Sequence, residues 1–168
     1  DAEFDNSDSN TDDNELIIAD GATIERTEGT DGSESFSDSD PLEAVPTFAG
    51  SVNLEYNTAS GSADYTSGRE VPSEGSDASI ANVGVDVGSS GSVDFQAVDT
   101  NNGIATGNVV VTDTFDLESG TVEHGVEGQS GSRQIEIADG GVFAQKNGSL
   151  ADSEFVADSE SAESIEAS

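Results

Sequence analysis

The 168 residues carry 36 Asp and Glu against four bases, Arg26, Arg69, Arg133 and Lys146, for a formal net charge of -32. That balance excludes nucleic acid as a partner, because phosphate binding needs clustered Lys and Arg. Cysteine is absent, which removes disulfide frameworks and thiolate metal sites, and no stretch approaches the ~18 apolar residues of a membrane span.

The first thirteen residues are rich in acids and poor in large apolar side chains, and read as a flexible leader. A chain numbered from Asp1 without an initiator Met reads as one that has lost a secretory segment. Residues 14–19 contain Leu16, Ile17 and Ile18 and end at Asp20-Gly21, a dipeptide favoured in two-residue hairpin turns. Residues 22–27 would then be the return strand. In an uninterrupted strand Leu16, Ile18, Ala22 and Ile24 would instead share one buried face. The segment 14–27 is therefore expected either as a first local hairpin or as a donor strand for a neighbouring subunit.

Residues 28–46, with many Gly, Ser and Asp and with Pro41 and Pro46, read as a long loop. Alternation of Val52, Leu54 and Tyr56 marks a strand over 51–56, and a second is expected near 63–66. Residues 79–87 place Val83, Val85 and Val87 on one face, and a run over 92–98 follows Gly88-Ser89-Ser90-Gly91, which together suggest a hairpin. The longest β-prone run is 104–115. Its Val109, Val111 and Phe115 lie on one face, with Val110, Thr112 and Thr114 on the other, as expected of a central strand. Residues 121–127 alternate Val122, His124 and Val126. A last hairpin is expected over 132–138 and 141–146 around Asp139-Gly140. It echoes the first: Leu16-Ile17-Ile18-Ala19-Asp20-Gly21 beside Ile135-Glu136-Ile137-Ala138-Asp139-Gly140. One such pair is read as shared turn chemistry and not as a repeat. Residues 151–168 read as an acidic tail.

These short strands with Gly-rich turns predict an all-β fold, an antiparallel β-sandwich or jelly roll over 14–150 with flexible acidic termini. Its core would be thin, since Val, Ile, Leu and Phe make up only 35 of the 168 residues.

Catalytic patterns are absent. No G-x-S-x-G or phosphate-binding glycine motif occurs. His124 is the only histidine and reads as an ordinary strand residue, so triads and histidine-based zinc sites are not expected. Paired carboxylates for glycoside hydrolysis are not selectable among so many acids. Without Trp, a sugar would have to stack on Tyr56, Tyr65 or Phe. Asp8-x-Asn10-x-Asp12 opens like a calcium loop but has Asp13 where glycine is needed and Ala19 where the final Glu should stand. Asp38-x-Asp40 and Asp99-x-Asn101 are acidic turns that composition alone generates. No cofactor or catalytic residue is therefore expected, with Ca²⁺ the one ion that such loops could attract. Asn147-Gly148-Ser149 matches the N-glycosylation acceptor and is equally a turn signal.

Acids scattered through the whole chain with lysine almost absent resemble the proteins of salt-loving archaea. Carboxylates repel over a Debye length of about 10 Å at 0.1 M salt and about 3 Å at 1 M. In composition and strand pattern over 14–150, the chain resembles the small β-rich surface proteins of haloarchaea, including subunits of extracellular filaments. The resemblance implies a secreted or cell-surface, non-enzymatic protein that forms a homo-oligomer or polymer, with strand donation through Leu16, Ile17, Ile18, Ala22 and Ile24 as one route. Two rival readings are a capsid decoration or spike protein of a halophilic virus, and a secreted ion- or ligand-binding module.

Overall fold

A computed structural model describes residues 16–27, 46–68, 70–72, 78–95, 109–123, 134–150, 154–157 and 165–167. They form fourteen strands. In chain order these are β1 (Ile17–Ile18), β2 (Ala22–Arg26), β3 (Thr47–Phe48), β4 (Val52–Asn57), β5 (Asp64–Thr66), β6 (Ile80–Asp86) and β7 (Ser92–Asp94). There follow β8 (Val109–Ser119), β9 (Thr121–Glu123), β10 (Gln134–Ile137), β11 (Val142–Gln145), β12 (Ser149–Leu150), β13 (Glu154–Ala157) and β14 (Ile165–Ala167).

Every pairing between them is parallel. The expected antiparallel β-sandwich or jelly roll is thus overturned. A long sheet runs β13-β10-β8-β6-β4-β2, with β11 beside β8 and β14 beside β11; a second runs β12-β9-β7-β5; and β1 pairs β3. Each strand lies beside the one a coil later in the chain. In the four-stranded sheet, Asp64, Ser92, Thr121 and Ser149 stand in register at steps of 28, 29 and 28 residues. This is a parallel β-solenoid, in which each coil turns a corner and is covered by the next.

The Asp-Gly turns do form, but they are corners and not hairpins. Ala22 N donates to Ala19 O at 3.1 Å and Gly141 N to Ala138 O at 2.9 Å, each closing a β-turn, with Gly21 at φ +73° and Gly140 at +82°. The strands that flank each turn do not pair with each other but with other coils: β1 with β3, β2 with β4, β10 with β8 and β13, β11 with β8 and β14. The same correction applies to β6 and β7, which leave the Gly88–Gly91 corner for different sheets. The six-residue echo between the first and fifth coils is shared turn chemistry at different places: through β8, β6 and β4, Ile137 stands in register with Ala22, so Asp139-Gly140 lies after that point and Asp20-Gly21 before it. Where the fifth coil breaks into β10 and β11, β8 runs through without interruption and pairs with both.

Period-2 alternation drives the packing, because each strand has one face inside the coil and one outside. Ile24, Leu54, Val83, Phe115 and Phe143 stack in register as one interior column. Tyr65, Val93, Val122 and Leu150 make another. Leu54, Val83, Phe115, Val93 and Val122 are no more than 1 % exposed. The rings of Tyr65, Tyr56, Phe95, Phe115 and Phe143 form a continuous chain through the interior, with successive centroids 5.6, 5.4, 6.0 and 5.8 Å apart. The first three contacts are edge-on and the last is tilted, and edge-on contacts add to the burial of the rings themselves. Stacking coils lets a sparse apolar set fill a narrow core.

Gly120 shows why the corners need glycine. It sits between β8 and β9 at φ +97°, and a Cβ there would press into the Val87 side chain and stand 3.1 Å from Gly91 O.

Residues 1–13 of the expected leader lie outside the described residues, as do Asp38, Asp40, Asp99, Asn101 and His124. β13 and β14 fall within 151–168. Among the described residues no helix is long and apolar enough to cross a membrane.

Candidate functional site

Three features stand out on the solenoid. The first is an acid-lined groove on the outer face of the long sheet. Glu25, Glu55, Gly84 and Asp116 occupy consecutive register positions on β2, β4, β6 and β8. Parallel strands lie about 4.8 Å apart, so like charges at this spacing repel. Gly84 interrupts the row. The Glu55 carboxylate lies where a Cβ on Gly84 would be, and the missing side chain opens a groove of about 630 Å³ flanked by Glu55, Asn82, Asp86, Thr114, Asp116 and Glu118.

Partial burial, and then the charges of Glu25 and Asp116, push the Glu55 carboxyl above its ordinary value of 4.5. Asn57 relieves part of the repulsion, its Nδ2 donating to Glu25 Oε1 at 3.1 Å, while Asn82 Nδ2 donates to Asn53 Oδ1 at 2.8 Å. Lys146 closes one end, paired with Glu118 and 3.9 Å from Asp116 Oδ2. The Glu118 contact is the main cause that raises the Lys146 ammonium above its usual value. Among the described residues, no group of three or more His, Asp or Glu is disposed to hold a metal ion.

The second feature is inside the first coils. Arg26 follows Ile24 on the interior face of β2 and begins the column that continues through Tyr56, Val85, Leu117 and Gln145. Its Nη1 donates to Thr66 O at 2.7 Å and to Glu70 Oε1 at 3.1 Å. The guanidinium carbon stands 5.0 Å from the Tyr65 ring centroid and 6.0 Å from that of Tyr56. Glu70, 1 % exposed, also accepts from Tyr56 OH at 3.0 Å and from Gly68 N at 2.9 Å. A charge-assisted knot therefore closes the polar end of an apolar column. Nothing in the local sequence signals a pair 44 residues apart. Tyr56 and Tyr65, considered above as sugar platforms, are 1 % and 2 % exposed and belong to the interior.

The third feature is the edge formed by β1 and β2, which carries the residues singled out for assembly. Leu16, Ile18, Ala22 and Ile24 are half-buried and Ile17 is 60 % exposed. Ile18 and Ile24 pack on the core. Both strands pair within their own chain, in parallel, with β3 and β4. Asp20 ties this corner to the next coil, its Oδ1 accepting from Ser51 N at 2.8 Å and Ser51 Oγ at 2.9 Å. Those bonds hold its carboxyl below the ordinary 3.8. Asn147 is exposed in the turn between β11 and β12, where its N–H donates to Glu118 O at 3.1 Å.

No family model, curated protein or solved structure matches the chain.

Proposed function

We propose that this chain is a non-enzymatic structural subunit of an extracellular filament or cell-surface assembly in a halophile. The observation that carries the reading is that, among the described residues, the sheets are open at both ends of the solenoid. Among the described residues, β1 and β2 at one end pair only with β3 and β4, and β13 and β14 at the other pair only with β10 and β11. Open parallel edges are templates for further strands. The flanks are the opposite, since acid rows such as Glu25, Glu55 and Asp116 discourage side-by-side association of sheets. Growth along the axis with charged, hydrated flanks is the behaviour of a thread-forming subunit. Because β1 and β2 already pair inside their own chain, this version of assembly stacks whole solenoids and does not need strand donation.

Electron microscopy of the purified full chain in molar salt tests it. Unbranched filaments of constant width are expected. Particles that stay single at every concentration would overturn the reading.

A further inference from the structure

The turn between β11 and β12 has no part in the features described so far beyond its backbone. We infer that Asn147 in that turn is a glycosylation site, the acceptor of a saccharide from an activated lipid-phosphate donor. The inference rests on the extracellular part of the reading above, because the chain meets such a donor on its way out of the cell. Three observations carry it. First, Asn147-Gly148-Ser149 has the acceptor pattern, an asparagine with a hydroxyl residue two positions on, and of the ten asparagines in the chain only Asn147 has it.

Second, its amide is uncommitted. Asn53 Nδ2 donates to Gly21 O at 3.1 Å, Asn57 Nδ2 to Glu25 Oε1 at 3.1 Å and Asn82 Nδ2 to Asn53 Oδ1 at 2.8 Å. Asn147 is exposed, and among the described residues its side chain has no hydrogen-bond partner. Third, the corner presents it. Register sets Gln145 beside Leu117 and Ser149 beside Thr121, so Asn147 takes the place that Ser119 has one coil earlier. Ser119 Oγ is engaged there, donating to Asp86 Oδ1 at 2.6 Å and accepting from Gly88 N at 2.9 Å. At Asn147 only the backbone is tied, its N–H donating to Glu118 O at 3.1 Å. Gln145 Nε2 donates to Gly148 O at 2.7 Å across the turn, and a Cβ on Gly148 would press into the Leu117 side chain. The turn thus sits tightly on the coil below, and a saccharide joined to Asn147 extends into solvent without displacing a hydrogen bond. In the transfer, Asn147 Nδ2 bonds to the anomeric carbon of the donor as that carbon's bond to the phosphate oxygen breaks. The lipid phosphate leaves with the electron pair, and one Nδ2 proton passes to a base of the transferase. The product is a bulky, hydrated surface group.

The test is peptide mass spectrometry on the full-length chain recovered from the cells that naturally produce it and from their medium, with three variants expressed in the same cells and circular dichroism as the check on folding. The peptide with Asn147 should carry an added saccharide mass. Asn147→Gln and Ser149→Ala should lose it, while Ser149→Thr, which keeps the hydroxyl, should retain it. An exported wild-type chain with Asn147 bare or merely deamidated, or a saccharide that persists in Asn147→Gln, would overturn the site and leave the extracellular reading standing. A chain found only inside the cell, with Asn147 bare, would remove that reading and this inference together.

Discussion

Nη1 of Arg26 stands 3.1 Å from Oε1 of Glu70 inside the first coils, with the two side chains 11 % and 1 % exposed. Desolvation makes such a pair costly to assemble, but removing one partner is worse, because it strands the other charge where water does not reach it. Arg26→Met is expected to lose about 3–5 kcal/mol of stability. Arg26→Met combined with Glu70→Gln should recover part of that loss, since the amide oxygen still accepts from Tyr56 OH and no charge is left behind. Urea unfolding in molar salt measures both. Additive losses would show that the two groups act independently.

Glu55 should set a slope in stability against pH. Its carboxyl is raised first by burial and then by Glu25 and Asp116. Between its ordinary 4.5 and the raised value, the folded chain binds more protons than the unfolded one. Stability therefore falls as pH rises through that window, and mild acidification from neutral should raise the urea midpoint. Glu55→Gln should flatten this rise and lift the midpoint at neutral pH. Asp20 acts oppositely at lower pH: its lowered carboxyl contributes above 3.8, and that contribution is lost as pH falls through the folded value.

Gly120 is expected to be intolerant even of alanine. At φ +97° and against the Val87 side chain, a Cβ meets both backbone strain and a clash. Gly120→Ala should cost about 1–3 kcal/mol, read as a drop in the thermal midpoint. By contrast, Gly84→Ala displaces only the Glu55 carboxylate, the far end of a flexible side chain, and should change stability far less.

Salt should decide whether the coils stay stacked. Glu25, Glu55 and Asp116 line one outer row, and the chain as a whole carries a charge of -32. Dilution from molar salt to about 0.1 M lengthens the screening distance from about 3 to about 10 Å, past the spacing between neighbouring rungs. Loss of the β-sheet circular dichroism signal on dilution is the expected outcome. An unchanged spectrum would show that the acids do not depend on counterions for compactness.

Much of the strand placement was legible in the sequence. The run 51–56 is β4 to within a residue, and Val109, Val111 and Phe115 share the buried face of β8. Asp20-Gly21 and Asp139-Gly140 are tight turns. What the local pattern does not encode is the pairing partner. Alternation assigns a residue to a face but is identical for a strand that meets its neighbour in a hairpin and one that meets it a coil later. The coil period was hidden because it is kept by position and not by residue type. Tyr65, Val93, Val122 and Leu150 share one column without sharing a motif, and coil length varies along the long sheet. The groove was hidden for the same reason. Gly84 interrupts the acidic row only once β4, β6 and β8 are known to be neighbours.

The stacking of coils at this period is tested most directly by a cross-link. Oγ1 of Thr121 and Oγ of Ser149 lie 3.0 Å apart on adjacent strands, and the chain has no cysteine of its own. Strands one rung apart, at about 4.8 Å, are within the roughly 4.4–6.8 Å that a disulfide spans between Cα atoms, whereas two rungs are not. Thr121→Cys with Ser149→Cys should close an intramolecular disulfide under mild oxidation, seen as a mass loss of two hydrogens, while Ser92→Cys with Ser149→Cys should stay reduced. A Thr121/Ser149 pair that remains as free thiols in the folded chain would contradict the parallel solenoid.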